Sequence, residues 1–241
     1  MNDQKGGSMD YNIIKLTTLE VFQKCNIKSF PIDCTEVLEA YGMKVEPYSA
    51  QKPKKYEKCM SFSKDAFTLK KTVYYNDAQL PGRIYFSLAH EIAHIALKHS
   101  EPRTPMHEKE ADTFASYFIA PRIAIHYAAC KNYVHVAKLF DISFEAAHYA
   151  FNDYRRWHRK SIHTMDVLDK TIYNHFYNKE YNGFVYRIAN CHFCGQELYN
   201  TEEPHCKKCE KLFHSSNHYS SYSVHNDDFL IAESNWLYGE H

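Results

Sequence analysis

The spacing of apolar positions changes several times along the chain, and each change marks an element. Residues 10–26 carry Ile13, Ile14, Leu16, Leu19, Val21 and Phe22 at intervals that predict an amphipathic helix. Asp33, with Glu36 three residues on and Gly42 beyond, brackets a second, shorter helix. Residues 43–48 read as extended, and the Lys-rich run 51–58 with Pro53 as an exposed loop. Residues 59–63 and 68–76 read as two strands joined by a turn at Lys64 and Asp65. The second of these, TLKKTVYYN, is expected either to offer an edge to an extended substrate or to guard that edge with its lysines. Helical spacing returns at Pro81, with Ile84, Leu88, Ile92, Ile95 and Ala96 on one stripe and Lys98 and His99 suited to the negative C-terminal end. Pro102 and Pro105 interrupt it. A further helix puts Ala111, Phe114, Ala115, Phe118 and Ile119 on one face before Pro121, so two short-linked helices are expected side by side.

The first of this pair contains His90, Glu91 and His94 as HExxH. Residues four apart on a helix lie about 40° apart around the axis and roughly 6 Å along it, so both imidazoles can reach one metal ion. A catalytic zinc takes three protein ligands and keeps a fourth position open, so the second helix has to supply one. It offers Glu108, Glu110 and Asp112. Glu108 and Asp112 share a face, whereas Glu110 is rotated about 200° from Glu108. That geometry favours Glu108 as ligand, with Glu110 the alternative, and Asp112 as acceptor for the outer N–H of a ligating histidine. Glu91 is the candidate general base: zinc lowers the pKa of water toward about 7 and polarises a carbonyl, and Glu91 takes the proton and returns it to the leaving amine. Two histidines and a glutamate also accept manganese or iron. Arg83, seven residues before His90, either meets substrate, pairs with a nearby carboxylate or stays solvated.

The segments RIYFSLAHEIAH and EKEADTFASYFIAP resemble the ImmA/IrrE family of zinc metallopeptidases over roughly residues 10–160. The resemblance implies gluzincin-like ligation by His90, His94 and Glu108. It also implies an α+β, zincin-like fold, a small mixed sheet packed on the active-site helices. It implies as substrate a helix-turn-helix transcriptional repressor, cut at a specific site. A non-proteolytic alternative is a zinc-stabilised module that sequesters a repressor or toxin.

A second metal signal lies near the C-terminus. Cys191, Cys194, Cys206 and Cys209 form CxxC, eleven residues, CxxC, the spacing of a closed, structural four-cysteine zinc ribbon. His192 and His205 are possible substitutes for a cysteine, and a disulfide pair is the bland alternative. From residue 187 to 213 four Lys or Arg balance four Asp or Glu, so the ribbon lacks the positive field of a nucleic-acid binder. Between the two metal signals, VAKLFDISFEAAHYAF resembles a helix-turn-helix, with Ala137 at the small position and residues 141–143 as the turn, followed by the basic run 153–160. Helical packing is favoured over DNA contact there.

Composition narrows these readings only slightly. The chain has 241 residues, 44% of them apolar, and a formal net charge of zero, so no global field steers it to nucleic acid or membrane. Neither a membrane span nor a signal peptide is legible, which predicts a cytoplasmic protein. Cys25, Cys34, Cys59 and Cys130 have no ligand spacing and read as free thiols. The expected organisation is a leader at 1–9, a metallopeptidase core at 10–130, and a helical extension and linker at 131–186. A ribbon at 187–213 and a polar tail at 214–241 with a short apolar end complete it.

Overall fold

The computed structural model describes residues 9–161 and 165–217. The chain forms two compact units, residues 1–188 and 189–241. The leader expected at 1–9 and the tail expected from 214 fall almost wholly outside the described residues.

The first unit begins with α1 (Tyr11–Lys24), capped by the Asp10 carboxylate, which accepts from the Asn12 N–H at 2.9 Å. The helix buries Ile14, Thr18, Leu19, Val21 and Phe22. Asp33 caps α2 (Cys34–Ala40) by accepting from the N–H groups of Thr35 and Glu36, and Gly42, at φ +74°, turns the chain away. Strand β1 (Lys44–Pro47), a 3-10 turn at Tyr48–Ala50 and α3 (Pro53–Phe62) follow. The strand expected at 59–63 is thus the end of a helix. Pro53 stands at its first turn, where a missing N–H costs nothing and the fixed φ suits a helix, and the lysines of the expected loop cover its solvent face. Cys59 is its buried residue.

The remaining extended stretch folds as two strands, β2 (Ala66–Leu69) and β3 (Thr72–Tyr75), around a tight turn in which Lys70 takes φ +56°. The sheet order is β1-β3-β2: β3 runs parallel to β1, Val45 facing Val73, and antiparallel to β2, Thr68 facing Val73. Residues 72–75 therefore occupy the centre of the sheet, and the edge near the HExxH helix belongs to β2. One face of this sheet closes a small cluster of Tyr48, Cys59, Phe67 and Tyr74.

Helices α4 (Pro81–Ala96) and α5 (Pro105–Ile119) pack side by side, as their short linkage predicts. Then come α6 (Arg122–Tyr127), α7 (Tyr133–Phe140), α8 (Phe144–Ser161), α9 (Val167–Phe176) and a hairpin of β4 (Tyr177–Asn178) and β5 (Gly183–Phe184). The α7–α8 turn is the one anticipated, with Asp141 left-handed at φ +53°. It lies against the first turn of α4, where a Cβ on Gly82 would approach the Ser143 nitrogen to 3.0 Å, so only glycine leaves that backbone undisturbed. The basic end of α8 flanks a buried Trp157, whose indole N–H donates to Asp169 at 2.8 Å. Trp157 packs inward, while Arg155, Arg156, Arg159 and Lys160 of the same run are exposed.

The main core is a run of stacked and edge-on rings. Phe22 lies 5.5 Å from Phe118 and 5.3 Å from Phe176, and Phe30 lies 5.3 Å from Phe140 and 5.1 Å from Phe176. These contacts tie α1, α5, α7 and α9 together. Removing the Phe22 ring, which is fully buried, leaves a cavity at that junction. Phe22→Ala is expected to cost about 3–5 kcal/mol of stability, read as a lower urea midpoint with an unchanged slope. Among the described residues no helix is long and apolar enough to cross a membrane.

The second unit is a hairpin of β6 (Ile188–Asn190) and β7 (Glu197–Tyr199), followed by α10 (Lys207–Asn217). The architecture is α+β throughout, mostly helical, with small sheets and a cysteine cluster near the C-terminus.

Candidate metal centre and cleft

Helix α4 carries His90 and Glu91 into a cleft of about 380 Å³ bounded by β2, by the loop before α5 and by the start of α5, with His94 buried behind His90. The Nε2 atoms of His90 and His94 are 2.9 Å apart. Glu108 completes the triangle, with Oε2 3.2 Å from His90 Nε2 and Oε1 3.6 Å from His94 Nε2. A tetrahedral zinc with bonds near 2.0–2.1 Å sets its ligand atoms about 3.3 Å apart, and these three distances straddle that value. Glu108 sits in the first turn of α5, which Thr104 caps by accepting from the His107 N–H at 3.2 Å.

The outer ring nitrogens fix which way the protons point. Asp112 Oδ1 lies 2.9 Å from His90 Nδ1, and His94 Nδ1 lies 2.9 Å from His99 Nδ1. With both Nδ1 protons directed outward, both Nε2 atoms turn lone pairs toward one point beside a carboxylate. Two such acceptors 2.9 Å apart repel each other, and a cation between them removes the conflict. Burial pushes His94 down to about 3, so it is a neutral donor near pH 7. Burial also lowers His90, but the hydrogen bond and charge of Asp112 outweigh it and leave this group raised.

Glu110, the alternative to Glu108, points elsewhere. Its Oε2 meets His99 Nε2 at 3.3 Å, as the rotation of about 200° from Glu108 implies. Glu91 is 2% exposed. Its Oε2 accepts from the Thr68 hydroxyl on β2 at 2.7 Å and from Arg103 Nη2 at 3.1 Å. Arg103 also holds Glu101 through Nε at 3.0 Å. Arg83 takes the second of its three alternatives, a forked pair with Asp65 in which Nη2 donates to Oδ2 at 2.9 Å. That pairing, first by hydrogen bonding and then by charge, lowers the Asp65 carboxyl. Thr68, His99 and Arg103 had no signature in the sequence: they reach the site through contacts set by the sheet and the interhelical loop.

In the second unit the four cysteines converge. The Sγ atoms of Cys191, Cys194, Cys206 and Cys209 lie within 4.8 Å of one another. Cys194 and Cys206 are 3.7 Å apart, near the roughly 3.8 Å edge of a tetrahedral Zn–S4 site and far beyond an S–S bond of about 2.05 Å. Gly195, at φ +71°, closes the first knuckle as its N–H donates to the Cys191 carbonyl at 2.9 Å. The Cys206 N–H points at Cys191 Sγ at 3.3 Å. Backbone N–H groups of Cys194 and Cys206 bring the Cys191 thiol down to about 5. His192 and His205 are not part of this group. Cys25, Cys34, Cys59 and Cys130 are free thiols.

The IrrE N-terminal-like domain family matches residues 38–152, a span that contains HExxH, Glu108 and Asp112. No curated protein sequence matches the chain. Among solved structures the chain is similar to a Mycobacterium tuberculosis transcriptional regulator, at 12% identity and a TM-score of 0.40, over 56% of this chain. It spans 45% of that protein's length. The match over residues 38–152 supports the resemblance of this region to the ImmA/IrrE family, and the C-terminal cysteine cluster is compatible with it.

Proposed function

We propose that this chain is a zinc-dependent endopeptidase that hydrolyses a peptide bond in a protein substrate, with His90, His94 and Glu108 as metal ligands and Glu91 as general base. The observation that carries the reading is the convergence of two imidazole lone pairs and the Glu108 carboxylate beside a buried glutamate, at spacings a tetrahedral ion requires. Zinc held by these three residues would supply a Lewis acid for the scissile carbonyl and would acidify a bound water. The Glu91 carboxylate would act as the proton acceptor and return the proton to the leaving nitrogen. Thr68 and Arg103 hold its carboxylate in place meanwhile, and Asp112 fixes the ring plane and tautomer of His90. The same donors accept manganese or iron, but the fit to tetrahedral spacing favours zinc.

Among the described residues strand β2 pairs with β3 alone, and Ala66 and Phe67 line the cleft. An extended substrate segment adds to its free edge and crosses in front of the metal ligands. The proposed substrate, a helix-turn-helix repressor, is the one the family resemblance implies, and the free thiols suit a reducing cytoplasm. The four-cysteine unit holds a second, structural zinc, and its balanced charge suits a protein contact better than DNA.

The test is incubation of the purified chain with a helix-turn-helix repressor encoded beside it. Discrete fragments by intact mass, abolished by chelator, are the expected result, while an intact stable complex supports sequestration instead. Glu108→Ala is expected to lower the zinc content from two per chain toward one, measured by elemental mass spectrometry. Two zincs retained in that variant remove Glu108 from the ligand set.

A further inference from the structure

Helix α4 does not simply stop after His94. Leu97 caps it, Lys98 takes a left-handed conformation at φ +57°, and the His99 N–H returns to the His94 carbonyl at 3.0 Å while the Lys98 N–H reaches the Ile95 carbonyl at 3.3 Å. This is the paired 6→1 and 5→2 closure of a Schellman turn. It folds His99 back over the last turn, where its ring meets the outer nitrogen of His94, Nδ1 to Nδ1 at 2.9 Å. The opposite nitrogen of His99 faces Glu110 Oε2 at 3.3 Å. His107 stacks on the other side of the His99 ring at 4.4 Å, nearly parallel, and is itself held by the α5 cap, its Nδ1 accepting from the Thr104 N–H. The His99 side chain is 6% exposed, so water is a poor substitute for either partner.

Only one arrangement of protons satisfies this chain of contacts when His94 turns Nε2 toward the ligand group. His94 carries its proton on Nδ1 and donates it to His99 Nδ1. His99 then carries its own proton on Nε2 and donates it to the Glu110 carboxylate. His90 has its carboxylate partner directly, in Asp112; His94 reaches one through an intervening imidazole. We infer that His99 and Glu110 are positioning residues for the metal site, fixing the tautomer and ring orientation of His94 through the relay His94–His99–Glu110.

This inference rests on the zinc-site reading above, and its test separates the two. Zinc content of the full-length protein is measured after equilibration against a graded series of zinc buffers, with Zn(II) alone as the probe. The wild type is expected to hold two zincs, one of which is lost from His94→Ala. Glu110→Gln and His99→Ala are expected to weaken that same zinc about 10- to 100-fold, the range for loss of an outer partner of a ligating histidine. His99→Gln keeps an acceptor for the His94 Nδ1 proton but cuts off Glu110. It should weaken binding less than His99→Ala, and Glu110→Gln added to it should change nothing further. A general packing role predicts instead that the two losses add and that the melting temperature of the zinc-free protein falls; in the relay that temperature stays at the wild-type value for Glu110→Gln. Two zincs in the wild type with unchanged affinity in Glu110→Gln and His99→Ala would overturn the relay and leave the metal site standing. A single zinc in the wild type that survives His94→Ala would overturn both.

Discussion

Glu91→Gln should retain both zincs and lose cleavage, with single-turnover rates falling by about 10²- to 10⁴-fold, the usual contribution of a positioned general base. The amide keeps the size of the carboxyl group and still accepts from the Thr68 hydroxyl, but it cannot take a proton from water. It also withdraws the negative partner from Arg103, which keeps Glu101. The variant should therefore be destabilised by about 1–3 kcal/mol, the range for a buried polar group that loses a partner, and its thermal unfolding needs to be recorded beside its kinetics. Cleavage at the wild-type rate by a folded, zinc-loaded variant would remove Glu91 from the mechanism.

Cys206→Ser should have the largest effect on folding, and it should be confined to the second unit. Cys206 lies at the centre of the thiol cluster, its Sγ 3.7 Å from Cys194 and its backbone N–H aimed at Cys191. Two short strands and one helix enclose very little apolar surface, so on the proposed reading metal binding, worth on the order of 10 kcal/mol or more in small structural zinc domains, would supply most of the folding energy. The variant should lose one zinc per chain and become open to limited proteolysis between residues 189 and 217. A protease-resistant second unit that still holds two zincs per chain would show that three thiolates suffice.

Where the local code decides structure, the sequence could be read directly. The Asp33 cap, the Gly42 stop, the prolines around α4 and α5, and the turn at residues 141–143 each act within about four residues, and each appears where its chemistry requires. The 200° argument that separates Glu108 from Glu110 is likewise intrahelical, and the two side chains do diverge. Residues 59–63 end a helix and not a strand, because Pro53 acts as a helix-start signal and not as a loop marker, and the local composition of Cys, Met, Ser and Phe favours neither state. The placement of β3 at the centre of the sheet was out of reach for a different reason: strand order is set by non-local pairing, here of β1 with β3 across the intervening α3. Thr68 and Arg103 are 23 and 12 residues from Glu91, too far for any helical or strand period to connect them. His99 had a plausible local role as a cation at the helix end, and that role concealed its contact with His94.

The shortness of β2 has a consequence for how a folded repressor would be cut. Four residues of edge strand present an extended template about 13 Å long, with only a few ladder hydrogen bonds to offer, each worth about 1 kcal/mol net. Such an edge has no means of prying open a helix; it captures a segment that has already come loose. On the proposed reading the pace of cutting is then governed by the target's own breathing. Every 1.4 kcal/mol added to the stability of the scissile segment slows proteolysis about tenfold, and a signal that loosens the repressor accelerates its destruction without touching the enzyme.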